Sequence, residues 1–450
     1  MVRSAFATLF AASALVGSAL SATTGPKGTR AQHCPKDAPC TSLYGDCGVG
    51  AFCLGGCDPT MSYSMKSCVP NPVCKSGKYD LTSLNDIQSI DKYLGDNSKV
   101  NWQSQGKPIV YGESDSILLT MAEGTSGTLL ASTFYVWYGK ICATMSTSQG
   151  RGVVTAFIMM SDVKDEIDFE WVGVDLETAQ SNFYSQGVTT YTNAKNLTVG
   201  NTVEKLHEYC IDWQPDTLKW SVDGEEMRTL NRKDTWNGTA NRFDYPQTPS
   251  RVMLSLWPAG LATNEKGTRD WAGGEIDWNS PYMQNGYYLA RVKQVTVDCY
   301  DPPSNAKKSG NKSYKYTDDK NPTNNTIEIS NDFTILGSLL ATGEDPDEGK
   351  VTSSNAPKPT KSAASVPGGN PGGGNRAEDN VSSSAAAQST GAASTGSPET
   401  PNPGTSGGEW QQDKNGGNSP NAGASLQPGL SNVGGSAFAI VVALLGLIAL

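Results

Sequence analysis

After Asp165, acidic and bulky apolar residues alternate without a break in Asp165-Glu166-Ile167-Asp168-Phe169-Glu170-Trp171. Successive side chains of a β-strand point to opposite faces. As a strand, this stretch places Glu166, Asp168 and Glu170 on one face and Ile167, Phe169 and Trp171 on the other. Carboxylates in a row repel one another, so a packed protein carries them only where something offsets the cost. Alternation alone leaves three readings open. One is an edge strand with a charged solvent face, and a second is an oxygen-rich calcium site. The third is sugar chemistry, in which one carboxylate attacks an anomeric carbon and a second protonates the leaving oxygen. In that reading the middle carboxylate holds a proton or hydrogen bond and keeps the outer two in different charge states.

Composition narrows the choice. The 450-residue chain has a formal net charge of -10 and no long basic run, which argues against a nucleic-acid partner. Its only histidines, His33 and His207, are far apart, so a multi-histidine zinc site and a Ser-His-Asp triad are poorly supported. The ten cysteines are Cys34, Cys40, Cys47, Cys53, Cys57, Cys68, Cys74, Cys142, Cys210 and Cys299. An even count, clustered in a chain with a secretory start, reads as disulfides.

Residues 1–22 carry an early positive charge, an alanine-rich apolar run and small residues at Ala19, Ser21 and Ala22, the pattern of a signal peptide. Residues 34–74 form a cysteine-rich module too short to bury a sufficient core without cross-links. From 80 to 300, short β-branched and aromatic runs alternate with Gly, Asn, Asp and Ser. That spacing predicts an all-β sandwich or barrel, with a helical period only around Leu84–Leu94. Cys210 and Cys299 lie on two predicted strands and can bond to each other, while Cys142 can take a partner in the cysteine-rich segment; the sequence does not choose. Residues 303–432 read as linker and Ser/Thr-rich stalk, the later part too poor in apolar residues to fold. Residues 424–450 combine small residues, a polar spacer and an apolar tail shorter than the roughly 20 residues a spanning helix needs. That is the layout of a glycolipid-anchor signal. Glycosylation sequons stand at Asn196, Asn237, Asn311, Asn324 and Asn380.

The core Cys40-Thr41-Ser42-Leu43-Tyr44-Gly45-Asp46-Cys47-Gly48 resembles a hevein-type chitin-binding module. The resemblance implies sugar contacts at Ser42, Tyr44 and Phe52 and disulfides Cys34–Cys47 and Cys40–Cys53. Thr41 replaces one cysteine of that pattern, its partner is also missing, and Asp46 replaces a stacking aromatic. The module is then either a weakened chitin binder or a structural cap on the next domain.

The stretch Asp165–Gly173 is similar to the catalytic strand of glycoside hydrolase family 16, whose signature is Glu-x-Asp-x-Glu. His207–Trp213 followed by Leu218–Gly224 looks like that family's paired-strand element. Ser255-Leu256-Trp257-Pro258 and the Gly-rich loop Gly267–Gly274 look like its fungal Crh branch, the cell-wall chitin–glucan transglycosylases. The implied fold is a β-jelly-roll sandwich with a small disulfide-rich N-terminal module and a disordered C-terminal stalk. The implied roles are nucleophile for Glu166, acid/base and substrate contact for Glu170, and hydrogen-bonding assistance for Asp168, with retention through a glycosyl-enzyme intermediate. On an ideal strand the outer two Cα atoms lie about 13 Å apart, so their side chains must lean together to reach the roughly 5 Å of a retaining pair. Trp257, Met253, Thr268, Trp271, Asn182 and Tyr184 are expected to contact substrate; His207, Trp213 and Trp220 are expected to be structural. No cofactor and no metal is called for. The expected partners are a chitin donor, a β-glucan or chitin acceptor, and the membrane and cell wall through a glycolipid anchor, with no nucleic acid. A secreted endo-hydrolase and a wall-anchored carbohydrate-binding protein without turnover are the alternatives.

Overall fold

The computed structural model describes residues 26–112, 115–350 and 364–367. The expected signal peptide, the expected anchor signal, Asn380 and all of the expected stalk except 364–367 lie outside them. Among the described residues no helix is long and apolar enough to cross a membrane.

The first strands are β1 (Cys40–Thr41), β2 (Cys47–Gly48), β3 (Asn71–Pro72), β4 (Gly77–Asp80), β5 (Ile87–Ser89), β6 (Trp102–Gln105), β7 (Ile109–Tyr111) and β8 (Ser116–Met121). Next come β9 (Thr128–Val136), β10 (Gly139–Ser146), β11 (Val153–Ser161), β12 (Glu166–Val172), β13 (Thr178–Tyr184), β14 (Lys195–Thr198), β15 (His207–Trp213) and β16 (Thr217–Val222). The last are β17 (Glu225–Asn231), β18 (Trp236–Asn237), β19 (Arg242–Phe243), β20 (Ser250–Pro258), β21 (Tyr288–Cys299), β22 (Lys307–Lys308), β23 (Ser313–Tyr316) and β24 (Ile327–Ser330). A short helix, α1 (Lys266–Trp271), follows β20.

Two large sheets pack face to face. One runs β14-β13-β12-β11-β20-β9-β6-β5; the other runs β17-β16-β15-β10-β21-β8-β7, with β4 also pairing with β21. The apolar halves of the alternating strands fill the space between them. From β12, Ile167, Phe169 and Trp171 enter this core and are essentially fully buried. Phe169 and Trp171 stack with centroids 5.8 Å apart, and Tyr209 of β15 packs against both. Burying each such ring is worth about 1.5–3 kcal/mol, and the ring geometry adds to it. Trp213 and Trp220 also lie in this core, as expected.

Five disulfides lock the fold: Cys34–Cys47, Cys40–Cys53, Cys57–Cys68, Cys74–Cys299 and Cys142–Cys210. The first two are those the module resemblance implies. The suggested Cys210–Cys299 pair is corrected, because β10 lies between β15 and β21. Cys142 and Cys210 stand directly opposite each other on β10 and β15, and Cys299 instead reaches Cys74 at the module's end. The helical period around Leu84–Leu94 is also corrected, since Ile87–Ser89 joins the sheet edge parallel to β6. Residues 303–350 are not linker throughout: β22, β24 and β23 form a small sheet with β3 of the module. Leu336 and Ala341 fill a cluster with Leu54, Val69 and Tyr93.

The cysteine-rich module is bolted to the sandwich through Asp162, in the turn joining β11 to β12. Its carboxylate accepts hydrogen bonds from the Gly56 N–H (3.0 Å), the Tyr135 hydroxyl (2.6 Å) and the Asn71 side-chain amide (2.6 Å). Burial nevertheless pushes its pKa up to about 6 from an ordinary 3.8. A native pKa above the unfolded value means that folding takes up a proton in this range. The stability this group contributes is therefore fully present below about pH 4 and lost as pH rises through 6, by roughly 3 kcal/mol. Asp58 and Asp165 are shifted upward by burial in the same direction.

Replacing Asp162 by Ala strands three buried donors at about 1–3 kcal/mol each. Denaturant unfolding should show a loss of about 3 kcal/mol or more. Asp162→Asn, which cannot titrate, should flatten the decline of stability between pH 4 and 6. An unchanged midpoint in the first variant and an unchanged slope in the second would contradict this account.

Candidate active site

The acidic strand is internal: β12 lies between β11 and β13, third from one edge of its sheet. This excludes the reading as a charged edge strand. Glu166, Asp168 and Glu170 are no more than 5% exposed, so they do not form a solvated face either. Their row lies on the outer face of the sheet, opposite the core.

Register shows which residues accompany them. On β13, Tyr184 stands opposite Glu166, Asn182 opposite Asp168, and Gln180 opposite Glu170. On β11 the matching row is Met160, Ile158 and Ala156. One strand further, β20 supplies Arg251, Met253 and Ser255 at the same levels, with Trp257 next in the row. The structure therefore gathers Asn182, Tyr184, Met253 and Trp257 around the carboxylates from three strands. The Asn182 side-chain amide donates to the Tyr184 hydroxyl at 2.8 Å.

Thr268 and Trp271 arrive from outside the sheet, on α1 rather than on the Gly-rich loop expected there. Trp271 stacks on Trp257 with centroids 6.1 Å apart and planes inclined at 28°. Its indole N–H donates to the Gln180 side-chain oxygen at 2.8 Å. This contact ties α1 to the strand position facing Glu170. Two buried hydroxyls, Ser255 Oγ and Thr268 Oγ1, have no hydrogen-bond partner among the described residues. Buried polar atoms are nearly always paired, so these mark a surface suited to hydroxyl-bearing ligands. Gln180 was not among the expected contacts; the period of two that links Asn182 to Tyr184 reaches it as well.

The strand is held from behind. The Trp220 indole N–H crosses the core and donates to the Asp168 backbone carbonyl at 3.0 Å. The Arg228 guanidinium lies over Trp220 and donates to the Ser181 carbonyl at 2.7 Å. At the strand's start Asp165 accepts from the backbone N–H groups of Gln186, Gln247 and Thr248 and from the Thr248 hydroxyl. His207 sits on the opposite sheet, bonded to the Asp223 carboxylate (2.7 Å) and the Asn201 carbonyl (3.0 Å). Its role there is structural, as expected. Cys142, Glu208 and Cys210 come close enough to suggest a metal site, but the two thiols are consumed in a disulfide.

The module's expected sugar contacts face inward. Ser42, Tyr44 and Phe52 are 2%, 8% and 3% exposed, so none presents an open ring face or hydroxyl to solvent. Phe52 packs with Cys40, Cys53 and Cys57. Ser42 and Tyr44 line a cavity of about 30 Å³ shared with Gln103, Arg251 and Met253 of the sandwich.

The profile of Glycosyl hydrolases family 16 matches residues 96–273. Crh-like protein 3 of Botryotinia fuckeliana (strain B05.10) is 54% identical over 319 residues, covering 71% of each chain. Crh-like protein 2 of Aspergillus fumigatus (strain ATCC MYA-4609 / CBS 101355 / FGSC A1100 / Af293) is 50% identical over 353 residues, covering 77% of this chain and 79% of that one. A solved structure described as Crh5 transglycosylase in complex with NAG is 31% identical, with a TM-score of 0.48, covering 59% of this chain and 97% of that one.

Gln180→Ala releases the Trp271 indole from β13. We expect the KM for oligosaccharide to rise on the order of tenfold, equivalent to about 1.4 kcal/mol, with little change in melting temperature. Steady-state kinetics with an unaltered KM would show that the contact does not position Trp271.

Proposed function

The chain belongs to the fungal Crh proteins of glycosyl hydrolase family 16, and on that premise we propose that it is a retaining transglycosylase that cuts chitin and joins the fragment to a β-glucan or chitin acceptor in the cell wall. The observation that carries this reading is the buried row Glu166-Asp168-Glu170 on an internal strand, facing the same side as Asn182, Tyr184, Met253, Ser255 and Trp257. Such a row costs stability, and a use for its ionised and protonated forms accounts for its being kept.

In the first half-reaction Glu170 gives its proton to the glycosidic oxygen of the leaving chain. A Glu166 carboxylate oxygen attacks the anomeric carbon, the bond to the leaving oxygen breaks, and the donor fragment is held as a glycosyl ester. In the second, Glu170, now a carboxylate, takes the proton from an acceptor hydroxyl. That oxygen attacks the anomeric carbon and Glu166 departs, which restores the starting charges. Two inversions give net retention. Asp168 lies between the outer pair on the same face and supplies hydrogen-bonding assistance to them. Trp271, half-buried and stacked on the fully buried Trp257, offers an apolar face matching that of a pyranose ring, and Ser255 and Thr268 supply hydroxyls with hydrogen-bonding capacity to spare. Transfer replaces hydrolysis when an acceptor sugar occupies the site before water reaches the ester. A wall-anchored location fits this substrate, with residues 1–22 and 424–450 as the addressing segments.

Glu166→Gln should abolish turnover while leaving oligosaccharide binding intact. Glu170→Gln should lose activity on natural chitin chains by at least about 100-fold. It should recover much of that activity on donors whose leaving group needs no proton. Fluorescently labelled acceptor oligosaccharides report the outcome. Incorporation of label into longer products is expected, and accumulation of free reducing ends alone would refute transfer. A Glu166→Gln protein with wild-type turnover would refute the nucleophile assignment.

A further inference from the structure

The outer face of the catalytic sheet is not equally open along its width. At one edge, β14 places Asn196 opposite Gln180, and Asn196 is exposed. At the other side the floor meets the cysteine-rich module. Leu43 leaves the module and joins an apolar cluster with Met160, Ile158 and Ala156 of β11, Met253 of β20, and Ala131 and Leu129 of β9. These are cleft-face positions: Met160, Ile158 and Ala156 stand opposite Glu166, Asp168 and Glu170. Met253 pairs in turn with Ile158, and Ala131 with Met253. From the carboxylate row to the β9 row is three strand spacings, about 14 Å.

The loop that carries Leu43 is built to stay in place. Disulfides Cys40–Cys53 and Cys34–Cys47 bracket it. Within it the Ser42 N–H donates to the Asp46 carbonyl and the Gly45 N–H to the Ser42 carbonyl, both at 2.9 Å, with Gly45 in a left-handed turn at φ +81°. Beneath it Gly55 lies so close to Arg251 that a Cβ there would come within 2.7 Å of the guanidinium carbon. That guanidinium is itself fixed by the Ser132 carbonyl and the Gln103 side chain. Gly56 is held by Tyr135 and Asp162. Behind the loop, the Val49 and Ala51 N–H groups donate to the carbonyls of Ala364 and Ser365, so a later part of the chain braces the module from its far side.

We infer that the Ser42–Gly45 loop, with Leu43 at its tip, is a fixed end-stop of the saccharide cleft that limits how many sugar units bind on the β9 side of Glu166-Asp168-Glu170. The module then acts on chain-length selection through the sandwich rather than as a separate chitin platform. The ligand class is a β-linked oligosaccharide of N-acetylglucosamine or glucose that crosses the strands and leaves over β14. The inference rests on the proposed sugar-binding role of the cleft.

The test uses the full chain carrying Glu166→Gln and a ladder of chitin oligosaccharides measured by calorimetry. Affinity should rise with length and reach a plateau set by the stop. Adding Leu43→Ala should move the plateau to a longer oligosaccharide, and Leu43→Val, a smaller trim for the case in which the alanine variant does not fold, should move it in the same direction. A plateau at the same length in folded variants overturns the inference, as does absence of binding at every length. Turnover of the chain with Glu166 intact is measured in parallel. If it is absent while the plateau still shifts, the catalytic reading falls and the end-stop stands.

Discussion

The constraint on which this structure turns is the placement of three acidic side chains in a row on one buried strand face. An internal position gives β12 its full set of ladder hydrogen bonds, and its other face is committed to Ile167, Phe169 and Trp171. The apolar half anchors the strand where the acidic half works against it. Trp220 tightens that anchor by donating from the opposite sheet to the Asp168 carbonyl, and Arg228 locks Trp220 in turn. The acidic row is therefore a feature of a rigid scaffold, as the proposed catalysis requires.

The turn before β12 extends the same logic outward. Asp162 and Asp165 stand within a few residues of Glu166, and both spend their oxygens on distant chain segments. Asp165 fixes the 247–248 loop, whereas Asp162 fixes Gly56 and Asn71 of the cysteine-rich module. The hairpin that orients β12 is thus also the post to which the module is tied. Lys164, in that hairpin, adopts a left-handed backbone at φ +66°, unusual for a residue other than glycine. Its carbonyl accepts from the Gly187 N–H and its own N–H donates to the Ser161 carbonyl, which makes the turn compact.

Much of this was legible in the chain. Alternation in Asp165–Trp171 placed the acids and the rings on their proper faces, and β12 begins one residue inside that stretch and ends one residue beyond it, at Val172. The same period of two brought Met253, Ser255 and Trp257 together. Local pattern failed where pairing is nonlocal. Cys142 and Cys210 meet only because β10 and β15 are neighbours in register, which spacing along the chain does not encode. The strands at 313–316 and 327–330 are short and polar, and one of their partners, β3, lies more than 200 residues earlier, so they read as linker. Leu43 is a single leucine in a cysteine-rich segment. Its sequence context gives no hint that it packs on another domain's sheet.

The placement of the module bears on the balance between transfer and hydrolysis. A glycosyl ester persists until some hydroxyl reaches it, and water outnumbers any sugar. A cleft whose floor is apolar on one side of the carboxylates, through Ile158, Met160, Met253 and Ala131, offers water few hydrogen bonds there. At the Glu170 end, Trp271, half-buried and backed by the fully buried Trp257, presents a ring face that suits a pyranose better than it suits solvent. Under the proposed mechanism, then, both flanks of the reacting centre favour sugar over water by the same physical means. On that proposal the acidic row supplies the reaction, and the surfaces beside it supply the preference for an acceptor that carries its own apolar face.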